Sequence, residues 1–386
     1  MKRIAIVHEW LTSHAGSEKV VEQILKIYPN ADLYSLVDFL PPNLRFFIQH
    51  KPVETSFIQR LPFAKRHFRS YLPLMPLAIE QFDLSDYDLI ISSHHAVAKG
   101  VLTRPDQLHI SYVHTPLRYG WELQHQYLQQ AGLNRGLKGK TAGTLTRLIL
   151  HYMRIWDVLS AHRVDRYVAN SRYVARRIEK TYRRPAQVIY PPVNTQRFLP
   201  VDRAANVLTT TGPREDFYLT VSRFVPYKRV DLTVAAFSEL GLPLVVIGDG
   251  ALAPALKQAA GPTVQFLGKQ PDSVVEDYMR RCKGFIFPPE EDFGITPVEA
   301  QAAGAPVIAY AKGGQAETVI DGETGFIFTQ QTVESLVHSV KRLQASVDQF
   351  EADRLRKNAE RFSESRFQTQ FGDFVNDAWT QFKAEE

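Results

Sequence analysis

Short apolar runs recur along this chain, each broken by a polar or glycine-bearing loop and followed by residues at helical spacing. "RIAIVHEW" reads as a strand, and "SEKVVEQILKIYP" after it as an amphipathic helix. "YDLIISS", "HISYVHTP", "RYVANS" and "AQVIYPPV" repeat the rhythm. Alternation of this kind predicts a parallel sheet covered by helices on both faces. The proline-rich "YPPVNTQRFLP" and then "GPRED" mark a break near residues 191–216. Beyond it come "FYLTVSRF", "PLVVIGDG", "VQFLGK", "GFIFPP" and "PVIAY", with "RVDLTVAAFSELG" and "TVESLVHSVKRLQ" as helices. The pattern predicts an α/β protein of two successive doubly wound domains. Ligands of such sheets bind in the loops after the strands.

A length of 386 residues suits two domains, and 44% hydrophobic with 23% charged residues is a globular composition. The single cysteine, Cys282, leaves no disulfide framework and favours a reducing compartment. "MKRIAIVHEW" meets an acid at Glu9 and lacks a cleavage pattern, so it reads as a first strand, not a signal peptide. No apolar run is long enough to span a bilayer. The net charge of +5 conceals an asymmetry: residues 1–200 hold 27 Lys and Arg against 15 Asp and Glu. The remainder hold 19 against 26. A basic half beside an acidic half predicts different partners, the first meeting an anionic membrane or a diphosphate-bearing lipid. No reading helix or RNA-binding aromatic motif speaks for nucleic acid.

The densest chemistry lies in "PPEEDFGITPVEAQAAGAP", residues 288–306. Thr296, Pro297 and Glu299 have the spacing of a capping box, which would explain Glu299 by itself. It would not explain Glu290, Glu291 and Asp292, three adjacent acids that repel unless polar groups engage them. Backbone N–H groups around Gly294, Ile295 and Thr296, at a helix start, suit phosphate and hydroxyl groups together. In "YLTVSRFVPYKRVDL", Arg223 ends a strand, and Lys228 and Arg229 open a helix, where cations are disfavoured unless an anion sits between them. Arg223 and Lys228 could grip a diphosphate from two sides. His114 ends the strand in "HISYVHTP", and Gly16 precedes the first helix, where amides can meet phosphate. "DYD" at 86–88 precedes its strand, the wrong end for a ligand. Gly248, Gly250 and Ala253 satisfy a loose dinucleotide fingerprint, leaving a NAD-dependent oxidoreductase as an alternative. No His or Cys cluster has metal spacing, and neither a nucleophile elbow nor a P-loop occurs.

These stretches in order resemble the retaining glycosyltransferases of family 4, with the GT-B fold. Glu291 and Glu299 match that family's paired glutamates, Arg223 and Lys228 its basic pair. "IGDG" matches its usual strand end, and "AGSE" (15–18) its N-terminal glycine loop, with Ser17 where many relatives carry a second glycine. "YVHTPLRYGWE" is similar to bacterial polysaccharide mannosyl- and hexosyltransferases.

The resemblance implies two Rossmann-like domains facing across a cleft. An acceptor domain would cover 1–200, joined by a C-terminal helix at about 366–386 that crosses back, and a nucleotide-sugar domain 201–365. Glu291, His114, Arg223 and Lys228 would be the catalytic set. Glu291 and the amides of Asp292, Phe293, Gly294, Ile295 and Thr296 would hold the donor sugar, Glu299 the ribose diol, and Gly16 a phosphate. His114 would meet the sugar from the other domain. The donor would be UDP-glucose or GDP-mannose, used without metal or other cofactor. The acceptor would be lipid-linked or an oligosaccharide, the protein cytoplasmic and peripheral on the inner membrane face. "FIQRLPFAKRHFRSYLPLM" interleaves Phe57, Phe63, Phe68 and Tyr71 with cations, as an interfacial helix would. A sugar-nucleotide epimerase of the same fold is a further alternative.

Overall fold

Thirteen strands in two sheets answer to the apolar runs among the residues described by this computed structural model: 2–122, 124, 125, 128, 136–198 and 214–385. The chain divides into two units, Met1–Tyr190 with Gln368–Glu386, and Pro191–Phe367. The expected boundary at 200/201 falls among residues outside those described.

In the first unit the strands are β1 (Ile4–His8), β2 (Asp32–Ser35), β3 (Val53–Thr55), β4 (Leu89–His94), β5 (Leu108–Val113), β6 (Arg166–Ala169) and β7 (Gln187–Val188). They lie in the order β3-β2-β1-β4-β5-β6-β7, every neighbouring pair parallel. β4 and β5 are buried along their whole length, as central strands covered on both faces must be. The helix Gly16–Ile27 follows β1, and Val20, Val21, Ile24 and Leu25 bury its apolar face. The last helix, Glu364–Glu385, belongs to this unit from Gln368 onward. There Phe371 packs against Tyr112, and Gln368 donates to Gln23 Oε1 at 2.7 Å.

The second unit holds β8 (Tyr218–Val221), β9 (Leu244–Ile247), β10 (Val264–Gly268), β11 (Gly284–Phe287), β12 (Val307–Tyr310) and β13 (Gly325–Phe328). Their order, β10-β9-β8-β11-β12-β13, is again parallel throughout. Its core joins Phe237, Ile286, Ile308, Phe328, Leu336 and Val340. β2, β3 and β13 are absent from the sequence reading: Asp32–Ser35 and Val53–Thr55 mix polar residues into runs too short to show a period, whereas β13 repeats the GFIF of β11, a signal that reading left unused.

Both sheets reverse their winding once, between β1 and β4 and between β8 and β11. Diverging loops leave a crevice beyond the strand ends at such a point. Arg223, Lys228 and the 288–306 stretch follow β8 and β11, and Gly16 follows β1, whereas His114 follows β5, one strand beyond the first reversal.

Candidate active site

In the second unit, the loops after β8 and β11 meet at the reversal. Lys228 Nζ lies 2.7 Å from Glu291 Oε1, each side chain 18% exposed. Lys228 does not open the following helix, as the sequence suggested. It ends a 3₁₀ turn, Pro226–Lys228, and Arg229, with φ of +51°, caps the helix Val230–Leu240. Arg223 is exposed two residues beyond β8, and its guanidinium donates to Tyr227 Oη at 2.9 Å.

The capping box does not form. The helix runs Ile295–Ala302, with Gly294 as N-cap and no side-chain cap bond. Gly294 adopts φ of +88°, so the chain turns into the helix before Thr296 is reached. Pro297 then takes the third helical position, where a missing N–H costs no intrahelical bond. Glu299 falls in the second turn, buried. Glu291, Asp292, Gly294, Ile295 and Thr296 are half-buried around the turn, whereas the Phe293 ring is core, against Phe362. Phe293 can therefore offer a ligand only its backbone.

Sequence reasoning missed what shapes this turn. Gln315 Oε1 accepts from the Glu291 N–H at 3.1 Å, and its Nε2 donates to the carbonyls of Pro289, Tyr310 and Lys312. A Cβ on Gly314 would come within 2.1 Å of the Asp292 carbonyl oxygen. The Gly-Gly step in "AKGGQAE", just past a strand, was the available signal.

Gly248 and Gly250 have another explanation than a dinucleotide. Cβ atoms there would lie 1.8 Å from the Ser222 carbonyl oxygen and 2.6 Å from that of Phe224. Phe224 also donates to the Asp249 carbonyl at 2.8 Å. These glycines let the loop after β9 pack on the loop that carries Arg223.

In the first unit, β1 and β4 end in His8 and His94, and His114 directly follows β5. The register pairs His8 with Ser93 and Ser93 with Tyr112, so His8, Ser93 and His114 share one face. Ser93 Oγ lies 3.1 Å from His8 Nδ1 and 2.9 Å from His114 Nε2. Burial, then the nearby His95, His8 and His94, hold the half-buried His114 well below the usual imidazole range. His8, His94 and His95 are also lowered, chiefly by burial.

On the opposite face the Glu9 carboxylate accepts from the N–H groups of His95, Ala96, Val97 and Ala98 at 2.7–3.0 Å. Burial alone would raise this carboxyl. His94 at 3.3 Å, His95 and the amides outweigh it and hold Glu9 far below the usual range. Gly16 begins the first helix, half-buried, and the Glu18 carboxylate there accepts from the Ala15 N–H at 3.2 Å. His8, Glu9, Ser93, His94 and His95 were not singled out from sequence; strand after strand ending in histidine was the cue. Among the described residues, no group of three or more His, Cys, Asp or Glu could hold a metal ion.

Two doubly wound parallel sheets, with charged and amide groups gathered past the strand ends, are those of the GT-B fold. Residues 37–197 match the family model described as Glycosyltransferase Family 4, and residues 209–362 that described as Glycosyl transferases group 1. The chain belongs to the family 4-like glycosyltransferases.

An uncharacterized glycosyltransferase of Methanocaldococcus jannaschii is 29% identical over 46% of this chain and 49% of its own. A D-inositol 3-phosphate glycosyltransferase of Mycobacterium sp. (strain KMS) is 32% identical over 46% of this chain and 44% of its own. The chain thus spans about half the length of the curated relatives it matches. The fold is shared with Thermosynechococcus elongatus sucrose-phosphate synthase, TM-score 0.73 at 18% identity, covering 99% of this chain and 100% of that one. It is shared also with Anabaena HepE in complex with UDP-glucose, TM-score 0.66 at 18% identity over 97% and 99%.

Proposed function

We propose that this protein is a retaining hexosyltransferase that takes its sugar from a nucleoside diphosphate, UDP-glucose ahead of GDP-mannose, and adds it to a growing lipid-linked polysaccharide. The observation that carries the reading is the Lys228–Glu291 pair at the β8/β11 reversal, beside the amides that open the helix Ile295–Ala302. Lys228 has three donor hydrogens, so it can hold Glu291 and a phosphate oxygen together. Arg223 takes the other side of the diphosphate, Glu291 and the 292–296 amides the sugar hydroxyls, and Glu299 the ribose diol. The UDP-glucose bound by HepE, a protein of this fold, supports the choice of donor.

In the reaction, the anomeric C–O bond to the β-phosphate breaks, and the electron pair leaves with the diphosphate. Arg223, Lys228 and the helix amides meet that charge without a metal. The acceptor hydroxyl attacks the same face, and its proton passes to the departing phosphate oxygen. His114 hydrogen-bonds the donor sugar. UDP-glucose and UDP should raise the melting temperature where NAD and NADP do not. UDP release should proceed unchanged in chelator. A response to NAD(P) alone, or a strict Mn²⁺ requirement, would overturn the scheme.

The lipid-linked acceptor places the protein at an anionic membrane surface, and two surfaces of the first unit support this. Phe57, Phe63, Leu74 and Leu77 are exposed, with Arg60, Lys65 and Arg66 among them. Phe68 and Tyr71 do not belong to that surface: Phe68 is core, and Tyr71 packs on it. Nor is the stretch one helix, since Phe57–Arg60, Ala64–His67 and Phe68–Leu74 are separate short turns. The second surface is on the helix Gly136–Ser160, where Leu145, Leu148, Tyr152, Ile155 and Leu159 are 46–61% exposed. No described helix is long and apolar enough to cross a membrane.

A further inference from the structure

We propose that Ser93 is a positioning residue that fixes the tautomer of His114, so that the imidazole presents Nδ1–H to the donor sugar. Ser93 Oγ is fully buried between two imidazole nitrogens, 3.1 Å from His8 Nδ1 and 2.9 Å from His114 Nε2. A hydroxyl has one proton to give. Were Ser93 to accept from both rings, its own buried O–H would have no acceptor among the described residues, so either Ser93 donates to His114 while accepting from His8, or the direction reverses along the row.

Only the first direction leaves no buried N–H stranded. His8 Nε2 is buried and has no hydrogen-bond partner among the described residues. Were the row reversed, His8 would carry its proton there, a buried donor with no acceptor among the described residues. With the proton on His8 Nδ1, that nitrogen donates to Ser93, Ser93 donates to His114 Nε2, and the His114 proton sits on Nδ1. The backbone locks the alignment. His8 and Ser93 are register partners, and the His114 N–H donates to the His94 carbonyl at 2.8 Å. The titratable groups facing this row are Glu9, Glu18, His94 and His95. Their balance with burial keeps His8 and His114 neutral, the form in which a serine can set the tautomer.

The proposal rests on the hexosyl-transfer reading for its consequence, not for its structural test. In protein with ¹⁵N-labelled histidine, His114 assigned by comparison with His114→Gln should show Nδ1 protonated and Nε2 bare. Ser93→Ala should mix the two tautomers, and Ser93→Thr, which keeps the hydroxyl, should restore the wild-type pattern. With UDP-glucose as probe, Ser93→Ala should lower kcat about tenfold, the loss of roughly one hydrogen bond, while KM stays within about twofold. A wild-type His114 protonated on Nε2, or a Ser93→Ala spectrum identical to wild type, overturns the proposal even if sugar transfer is confirmed. The expected spectra without turnover on any nucleotide sugar would leave the tautomer assignment standing and remove the hexosyl-transfer reading.

Discussion

Arg223 and Lys228 differ in what their removal exposes. The Arg223 side chain stands in solvent and bonds only Tyr227 among the described residues, so Arg223→Ala should leave the melting temperature nearly unchanged. Lys228→Ala strips the half-buried Glu291 carboxylate of its counter-charge, so it should cost stability as well. Each should reduce UDP release from UDP-glucose about 100- to 1000-fold, the usual loss when a group stabilising transition-state charge is removed. Near-normal turnover in both would remove the proposed site. This pair was legible in the sequence because each residue sits just past an apolar run. Ser93 and His8 were not: which face a strand residue takes depends on register, and one slip reverses every side chain.

The helix Gly136–Ser160 buries one face through Leu150, Met153 and Trp156 and leaves a second apolar stripe outside at three- and four-residue steps. Such spacing also suits a second helix. The charge argues instead for lipid: from Glu122 to Asp157 the intervening chain has five Lys and Arg and no Asp or Glu. A symmetric self-contact would set those cations against each other, whereas an anionic leaflet would pair with them. Leu148→Glu with Ile155→Glu should abolish co-sedimentation with phosphatidylcholine–phosphatidylglycerol vesicles and leave the UDP-induced thermal shift intact. Unchanged sedimentation, or a wild-type dimer that the substitutions dissociate, would refute the lipid reading. The sequence pointed to residues 57–75 instead, since alternating cations and aromatics there look interfacial. Burial then sorted Phe68 into the core and Phe63 out to solvent, a division set by tertiary packing that composition does not carry.

For the molecule as a whole, the buried histidines set the response to acid. His8, His94, His95, His109 and His114 all have lowered pKa values; burial, the main cause throughout, brings His109 to about 4. Below pH 6.5 the unfolded chain takes up protons that the folded one refuses, so stability falls as pH falls. His109 alone accounts for about 3 kcal/mol between pH 6.5 and 4. Glu9 adds loss of the same sign below the ordinary carboxylate range, and Asp165, raised by burial, offsets a little. Melting temperature should therefore hold near pH 7 and drop steeply towards pH 4, with His109→Gln flattening part of the fall. A flat profile would contradict the burial of these imidazoles in neutral form. The two-domain plan was readable from strand rhythm alone, but this acid sensitivity was not, because only packing decides which histidines lose their water.

Four successive amides at residues 95–98 form the kind of seat that would welcome a phosphate, yet Glu9 is already sitting in it. An incoming diphosphate would meet a fixed negative charge and find no donors to spare. Two sheets wound to one plan therefore do not offer two equal phosphate seats: the chain has filled the one after β4 with its own ninth residue.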